Sequence, residues 1–299
     1  MELPSRSPTM EPMDEPTTSH QDDRRFLADR RRALTIIGGA SLAGIVAAAA
    51  ACSPDATDST GTTTTAGDGS TTTSTAATGS STTVASDGTC SEIPDETAGP
   101  YPGDGSNGKQ VLTQDGVVRS DIRSSFGAST TTVDGIPLTV HLDVSDTSAG
   151  CDPLVGAAVY LWHADPQGRY SMYSSGVTGE NYLRGVQETD ADGRVTFTTV
   201  LPGCYDGRWP HIHFEVYPDL ASITSARNSV KTSQLAFPKA MVSAAYAAAS
   251  SSYPSSSSNL SRVSLEDDNV FGDDDGVHQV ATVTGDPTTG YVATLAVPV

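Results

Sequence analysis

The stretch Ile136-Pro137-Leu138-Thr139-Val140-His141-Leu142-Asp143-Val144 decides how this chain folds. Apolar and polar residues alternate with period two, as in a β-strand with one face in a core and the other toward water. Outward from it, residues 155–163 (VGAAVYLWH) form a more continuous apolar run, which predicts a strand buried on both faces. Asp190-Ala191-Asp192-Gly193 is a turn signal ahead of Val195-Thr196-Phe197-Thr198, a third strand. Residues 211–217 (HIHFEVY) make a fourth, and 278–283 with 290–297 read as a closing pair. Only 239–250 (KAMVSAAYAAAS) predicts a helix of any length. Short strands at close spacing predict an all-β sandwich.

These elements fall within residues 90–299, a length that suits one domain. The 17 Lys+Arg and 36 Asp+Glu leave the chain at −19 at pH 7. Only six and seven of these charges lie in 1–52, so the acidity belongs to the part that folds. A chain this acidic lacks the basic face that nucleic acid requires, and an anionic membrane surface would repel it.

Residues 1–52 read as an export signal. Arg30-Arg31-Arg32 precede the uncharged stretch 33–51 (ALTIIGGASLAGIVAAAAA), and an Arg pair before such a run suggests twin-arginine export. The run is mostly Ala and Gly, which gain little in hydrocarbon, so a cleaved signal is favoured over a permanent transmembrane helix. It ends Ala49-Ala50-Ala51-Cys52, which resembles a bacterial lipobox; lipidation of Cys52 is favoured over simple cleavage. Residues 53–89 are a Ser/Thr-rich linker expected to be disordered, since they have too little apolar surface to offset chain entropy. The expected location is the cell surface or outside the cell, with a lipid anchor as the only membrane contact. An oxidising exterior permits one bridge among Cys90, Cys151 and Cys204, in any of three pairings.

The chemistry concentrates in two segments. On the strand 211–217, His211 and His213 project from one face while Ile212, Phe214 and Val216 take the core side. Imidazoles two residues apart on a rigid strand form a bidentate metal clamp. Leu201-Pro202-Gly203-Cys204-Tyr205-Asp206-Gly207-Arg208-Trp209-Pro210 leads directly into His211, so a Tyr and an Arg stand six and three residues before it. Trp162-His163-Ala164-Asp165-Pro166-Gln167-Gly168-Arg169-Tyr170-Ser171 places Tyr170 just after the buried strand.

With ETAGPYP (96–102), G-x-Y-S (168–171), DADGRVTF (190–197) and PGCYDGRWPHIHF (202–214), residues 92–240 resemble the intradiol ring-cleavage dioxygenases, the protocatechuate and catechol dioxygenases among them. The resemblance implies an immunoglobulin- or prealbumin-like β-sandwich catalytic core with few helices. It also implies one non-haem Fe³⁺ per chain, held by Tyr170, Tyr205, His211 and His213. Tyrosinate is a hard anionic donor, which suits ferric iron. The implied reaction cleaves a catechol-type aromatic between its hydroxylated carbons with O₂, giving a muconate-type diacid. The resemblance makes Tyr205 a catalytic proton acceptor and Arg208 the group that stabilises charge on the ring. It makes Gln234 the polar neighbour of Arg208, and Tyr101 a wall of the substrate pocket. No helical dimerisation segment is expected ahead of the sandwich, which would make the build closer to that of protocatechuate-type subunits. Asp206-Gly207 stands where bulkier residues are common, which suggests a more open pocket.

Other side chains have blander readings. His141 and His163 lie on apolar strands and read as structural. Tyr173 and Tyr182 compete with Tyr170 in proximity, but G-x-Y-S favours Tyr170. The acidic run Glu266-Asp267-Asp268 with Asp273-Asp274-Asp275-Gly276 lacks Ca²⁺-loop spacing and reads as a solvated loop. Two other functions are carried as alternatives. One is a non-catalytic exported module that binds phenolics or metal; the other is a Zn²⁺ hydrolase using His211, His213 and Glu215.

Overall fold

The computed structural model describes residues 90–299. The export segment 1–52 with Cys52 and the linker 53–89 lie outside the described residues. The alternation at 136–144 becomes β1 (Pro137–Asp146), which buries Leu138, Val140, Leu142 and Val144. It pairs antiparallel with β2 (Asp152–Pro153) at its end and with β5 (Arg194–Val200) along most of its length. On its other side it runs parallel to β9 (Gly290–Pro298), which pairs antiparallel with β8 (Thr282–Asp286). The closing pair is therefore present, with its first strand starting at Thr282 rather than 278.

The second sheet has the order β4-β3-β6-β7, formed by Arg184–Glu188, Ala158–Trp162, His211–Tyr217 and Lys231–Ala236, all antiparallel neighbours. Val155 is exposed and the strand expected there begins at Ala158. The apolar stripes of β1, β5 and β9 meet Val159 and Leu161 of β3 and Ile212, Phe214 and Val216 of β6 in one core. The two sheets thus share one core, as expected of an all-β sandwich.

The outer face of the second sheet is also covered. Ala158, Tyr160 and Trp162 of β3 and Tyr217 of β6 pack with Val111, Leu112, Val117 and Tyr170 in a second cluster. All residues of β3 and β6 are consequently buried, which explains the unbroken apolar reading of 155–163. His211 and His213 lie on the face of β6 opposite the core stripe, with His213 opposite Trp162 on β3 and Gln234 on β7. The predicted helix is α1 (Lys239–Ala248), followed by the short α2 (Ser256–Leu260). Their neighbourhood buttresses the loop after β5. Tyr246 and Tyr253 donate their hydroxyls to the carbonyls of Pro202 and Leu201, while Asn259 donates to that of Cys204.

Cys90 and Cys151 form the disulfide, and Cys204 is free and buried. The bridge fastens the start of a strap, residues 90–103, that runs along β7. Its Glu96 amide donates to Thr232 O, and Gln234 Nε2 donates to Thr97 O. Lys231, itself buried, pairs with Glu92 and Asp95 at 2.6 and 3.2 Å.

Candidate metal centre

Two loops bring tyrosines to the histidine-bearing end of β6. In the first, Asp165 Oδ1 accepts the amides of Gln167 and Arg169 at 3.0 and 2.9 Å, a side-chain-stabilised turn. Gly168 follows with φ +81°, a conformation open to glycine without strain, and a Cβ there would lie 2.9 Å from Tyr205 Cβ. The loop thereby turns Tyr170 inward against the second. The second loop carries Tyr205 and is fixed by Ser256 Oγ, which accepts the Cys204 amide at 3.0 Å.

The four side chains converge. Tyr170 Oη and Tyr205 Oη each lie 3.3 Å from His211 Nε2, and His213 Nε2 lies 3.1 Å from the same atom. His211 Nδ1 donates to the Trp209 carbonyl, which leaves Nε2 as a bare lone pair pointing at the other three groups. His213 is stacked on Trp162, with centroids 4.9 Å apart and planes within 5°. Its Nδ1 has no hydrogen-bond partner among the described residues. Burial, reinforced at His211 by the Arg208 charge and at His213 first by His211, holds both imidazoles well below their usual pKa. Both rings are therefore neutral and their nitrogens are available as donors.

Two neutral imidazoles and two phenols around one point match the donor preferences of a hard, high-valent ion. His213 Nε2 and both phenol oxygens thus stand within hydrogen-bond reach of the His211 Nε2 lone pair, a cluster compact enough for one shared cation. Among the described residues no three His, Cys, Asp or Glu side chains gather as a metal site, so a centre here with more than two side-chain ligands draws on the phenols.

The neighbouring candidates sort cleanly. Arg208 donates through Nη2 to Gln234 Oε1 at 2.7 Å and through Nε to Asp268 Oδ2 at 3.0 Å. Tyr101 sets its ring 5.0 Å from that of Tyr170 and 5.3 Å from that of Tyr173. Tyr173 Oη donates to Asn107 and Tyr182 Oη to Asp165, so both hydroxyls are engaged away from His211. His163 bonds to Thr199 Oγ1 and the Ala164 carbonyl, and His141 to Thr196 Oγ1. Glu215 accepts from Tyr217 Oη at 2.6 Å, and burial together with the neighbouring Asp104 pushes its carboxyl up to about 8. A carboxyl so engaged gives no support to the Zn²⁺ hydrolase. A cavity of about 470 Å³ is lined by Lys109, Phe126, Met172 and Asn181 among others, and none of the four donors borders it.

The solvated-loop reading of the acidic run needs correcting at one residue. Asp268 is fully buried and paired with Arg208, because the loop folds its carboxylate inward while Asp267 stays exposed. Arg184 was not singled out by the sequence. Buried on β4, it donates to Ser171 Oγ and O, to the carbonyls of Tyr101 and Pro102, and to Tyr160 Oη. It thus joins the Tyr170 loop to the strap. An Arg after Leu183 on a weakly apolar strand gave no signal of this.

Comparison with known proteins agrees with the geometry. Residues 125–227 match the family model described as "Dioxygenase". The chain is 32% identical over 130 residues to catechol 1,2-dioxygenase 1 of Acinetobacter lwoffii, a match covering 37% of this chain and 39% of that protein. It therefore spans about two fifths of the length of this curated relative. The solved intradiol ring-cleavage dioxygenase of Tetranychus urticae superposes with a TM-score of 0.55 at 26% identity, covering 70% of this chain and 94% of that one. In sequence and in fold the described domain is similar to the intradiol ring-cleavage dioxygenases.

Proposed function

We propose that this chain is a non-haem Fe³⁺-dependent intradiol dioxygenase that opens a catechol-type ring between its two hydroxylated carbons. Both atoms of O₂ enter the product, a muconate-type diacid. The observation that carries the proposal is the meeting of Tyr170, Tyr205, His211 and His213 within 3.3 Å of one imidazole nitrogen, in a domain similar to the intradiol ring-cleavage dioxygenases. These four side chains would hold the ion. When bound, ferric iron acts as a Lewis acid that lowers the pKa of catechol oxygens and draws electron density from the ring.

The protein's own groups do the remaining work. Tyr205 is the more exposed of the two tyrosines, on a loop whose next two residues, Asp206 and Gly207, face solvent. Its phenolate oxygen accepts a proton from the incoming catechol. Arg208 stabilises negative charge on the ring, and Gln234 orients it. Tyr101 closes the side of the pocket against Tyr170. The Cys90–Cys151 bridge supports a working place outside the reducing cytoplasm, in keeping with an export signal and lipidated Cys52. Mass spectrometry of the mature N-terminus tests that location.

Iron-loaded protein is expected to show the visible colour of tyrosinate-to-ferric charge transfer and to consume oxygen with catechol, protocatechuate or hydroxyquinol. Tyr205→Phe and His211→Ala should each abolish uptake, and the His variant should also release iron. A preparation that stays colourless after iron loading overturns the reading. Colour without oxygen uptake on any of the three substrates identifies a binding module instead.

A further inference from the structure

Asp268 lies 60 residues from Arg208 in sequence, yet its side chain is fully buried against that guanidinium. Its contacts divide by oxygen atom. Oδ2 accepts from Arg208 Nε at 3.0 Å and from the Trp209 amide at 2.6 Å. Oδ1 accepts from the amides of Val270 and Phe271 at 2.8 and 3.3 Å, which fixes the carboxylate in its own loop, and lies 3.3 Å from Arg208 Nε. Gly272 permits this tight loop, since a Cβ there would strike the carbonyls of Glu266 and Asp268. The Trp209 unit held by Oδ2 is the one whose carbonyl accepts from His211 Nδ1.

We infer that Asp268 is the positioning residue of the centre: it sets the plane of the Arg208 guanidinium toward the ring of the bound aromatic and, through Trp209, the orientation of His211. This rests on the function proposed above. With Nε on Asp268 and Nη2 on Gln234, two bonds to separate elements define the guanidinium plane, as pre-organised charge stabilisation requires. The pair is also nearly dry, with Arg208 3% and Asp268 0% exposed at the side chain, so loss of the carboxylate charge cannot be replaced by water.

The test is Asp268→Asn in the full chain, which is isosteric and keeps Oδ1 as an acceptor for Val270 and Phe271. The amide presents a donor where Arg208 Nε and the Trp209 amide both donate. On the iron-loaded protein kcat should fall roughly 30-fold while KM changes by less than about threefold. In Arg208→Ala the further change Asp268→Asn should alter kcat by less than about twofold, because the two act as one unit. Independently of turnover, Arg208 should resist phenylglyoxal in the parent protein and become labelled in Asp268→Asn, read by peptide mass spectrometry. Unchanged kcat with unlabelled Arg208 overturns the inference, and so does an undiminished Asp268→Asn loss in the Arg208→Ala background. If the parent protein consumes no oxygen, the proposed function fails while the labelling still decides the clamp. If Asp268→Asn does not fold, the parent protein decides: the Arg208 Nε–H must exchange slowly by ¹⁵N NMR, and fast exchange refutes the clamp.

Discussion

Glu96 shows how a single side chain on the strap registers its surroundings. Burial pushes its carboxyl up to about 7; the Gln279 hydrogen bond and the Arg208 charge oppose this, and Asp273 and Asp274 reinforce it. The fold therefore favours the protonated acid. The stability this contributes is complete below the ordinary carboxylate pKa and is lost as pH rises through about 7. Glu96→Gln keeps the shape and removes the ionisation. It should melt with the parent protein at pH 5 and about 2 °C above it at pH 8, a small gap because the group is partly solvated. Thermal denaturation at the two pH values measures it; a gap of the same size at both would show that ionisation is not its origin.

At the scale of elements, the centre depends on how closely two loops approach. Gly203 donates its amide to Asp165 O at 3.1 Å, and a Cβ on it would drive into the Pro166 carbonyl. Because Tyr170 and Tyr205 follow these contacts on their respective loops, Gly203→Ala should separate the phenols. The expected result is a weakened charge-transfer band and iron retention reduced at least tenfold, measured by metal analysis after dialysis against a chelator. A variant with full colour and full iron would show that the loops are positioned by the β-sheet alone. The same scale explains what the sequence could disclose. β1 and β6 were legible because alternation survives wherever one face meets a core. β7 was not, since Lys231, Ser233 and Gln234 are polar residues buried by partners from the strap, β6 neighbours and Arg208. β4 carries one strongly apolar residue and owes its place to Arg184. Asp268 was read as solvated because its neighbours are acids, and only a contact 60 residues away makes it interior. The convergence of Tyr170 and Tyr205 on the histidines followed from the resemblance and that of His211 with His213 from their i, i+2 strand spacing, while the groups that hold the four side chains left no such mark.

Across the whole domain, the strap is the piece most remote in sequence from what it holds. It is anchored at Cys90 by the disulfide, at Ile93 to the Pro298 carbonyl of β9, at Glu96 and Thr97 along β7, and at Tyr101 by Arg184. Only the first anchor is covalent, and it lies at the end farthest along the strap from Tyr101. Closing a loop of this span, 61 residues apart in sequence, lowers the entropy of the unfolded chain and contributes about 4 kcal/mol by the chain-entropy account. Cys90→Ser with Cys151→Ser should therefore lower the melting temperature by about 10 °C. The same variant should leave the charge-transfer colour at 25 °C intact, because Arg184 and Gln234 still hold the strap beside the tyrosines. Calorimetry and the visible spectrum of one sample separate the two effects. Bleaching without loss of stability would mean that the bridge sets the geometry of the centre, and an unchanged melting temperature would mean that the bridge does not constrain the unfolded ensemble as the chain-entropy account requires.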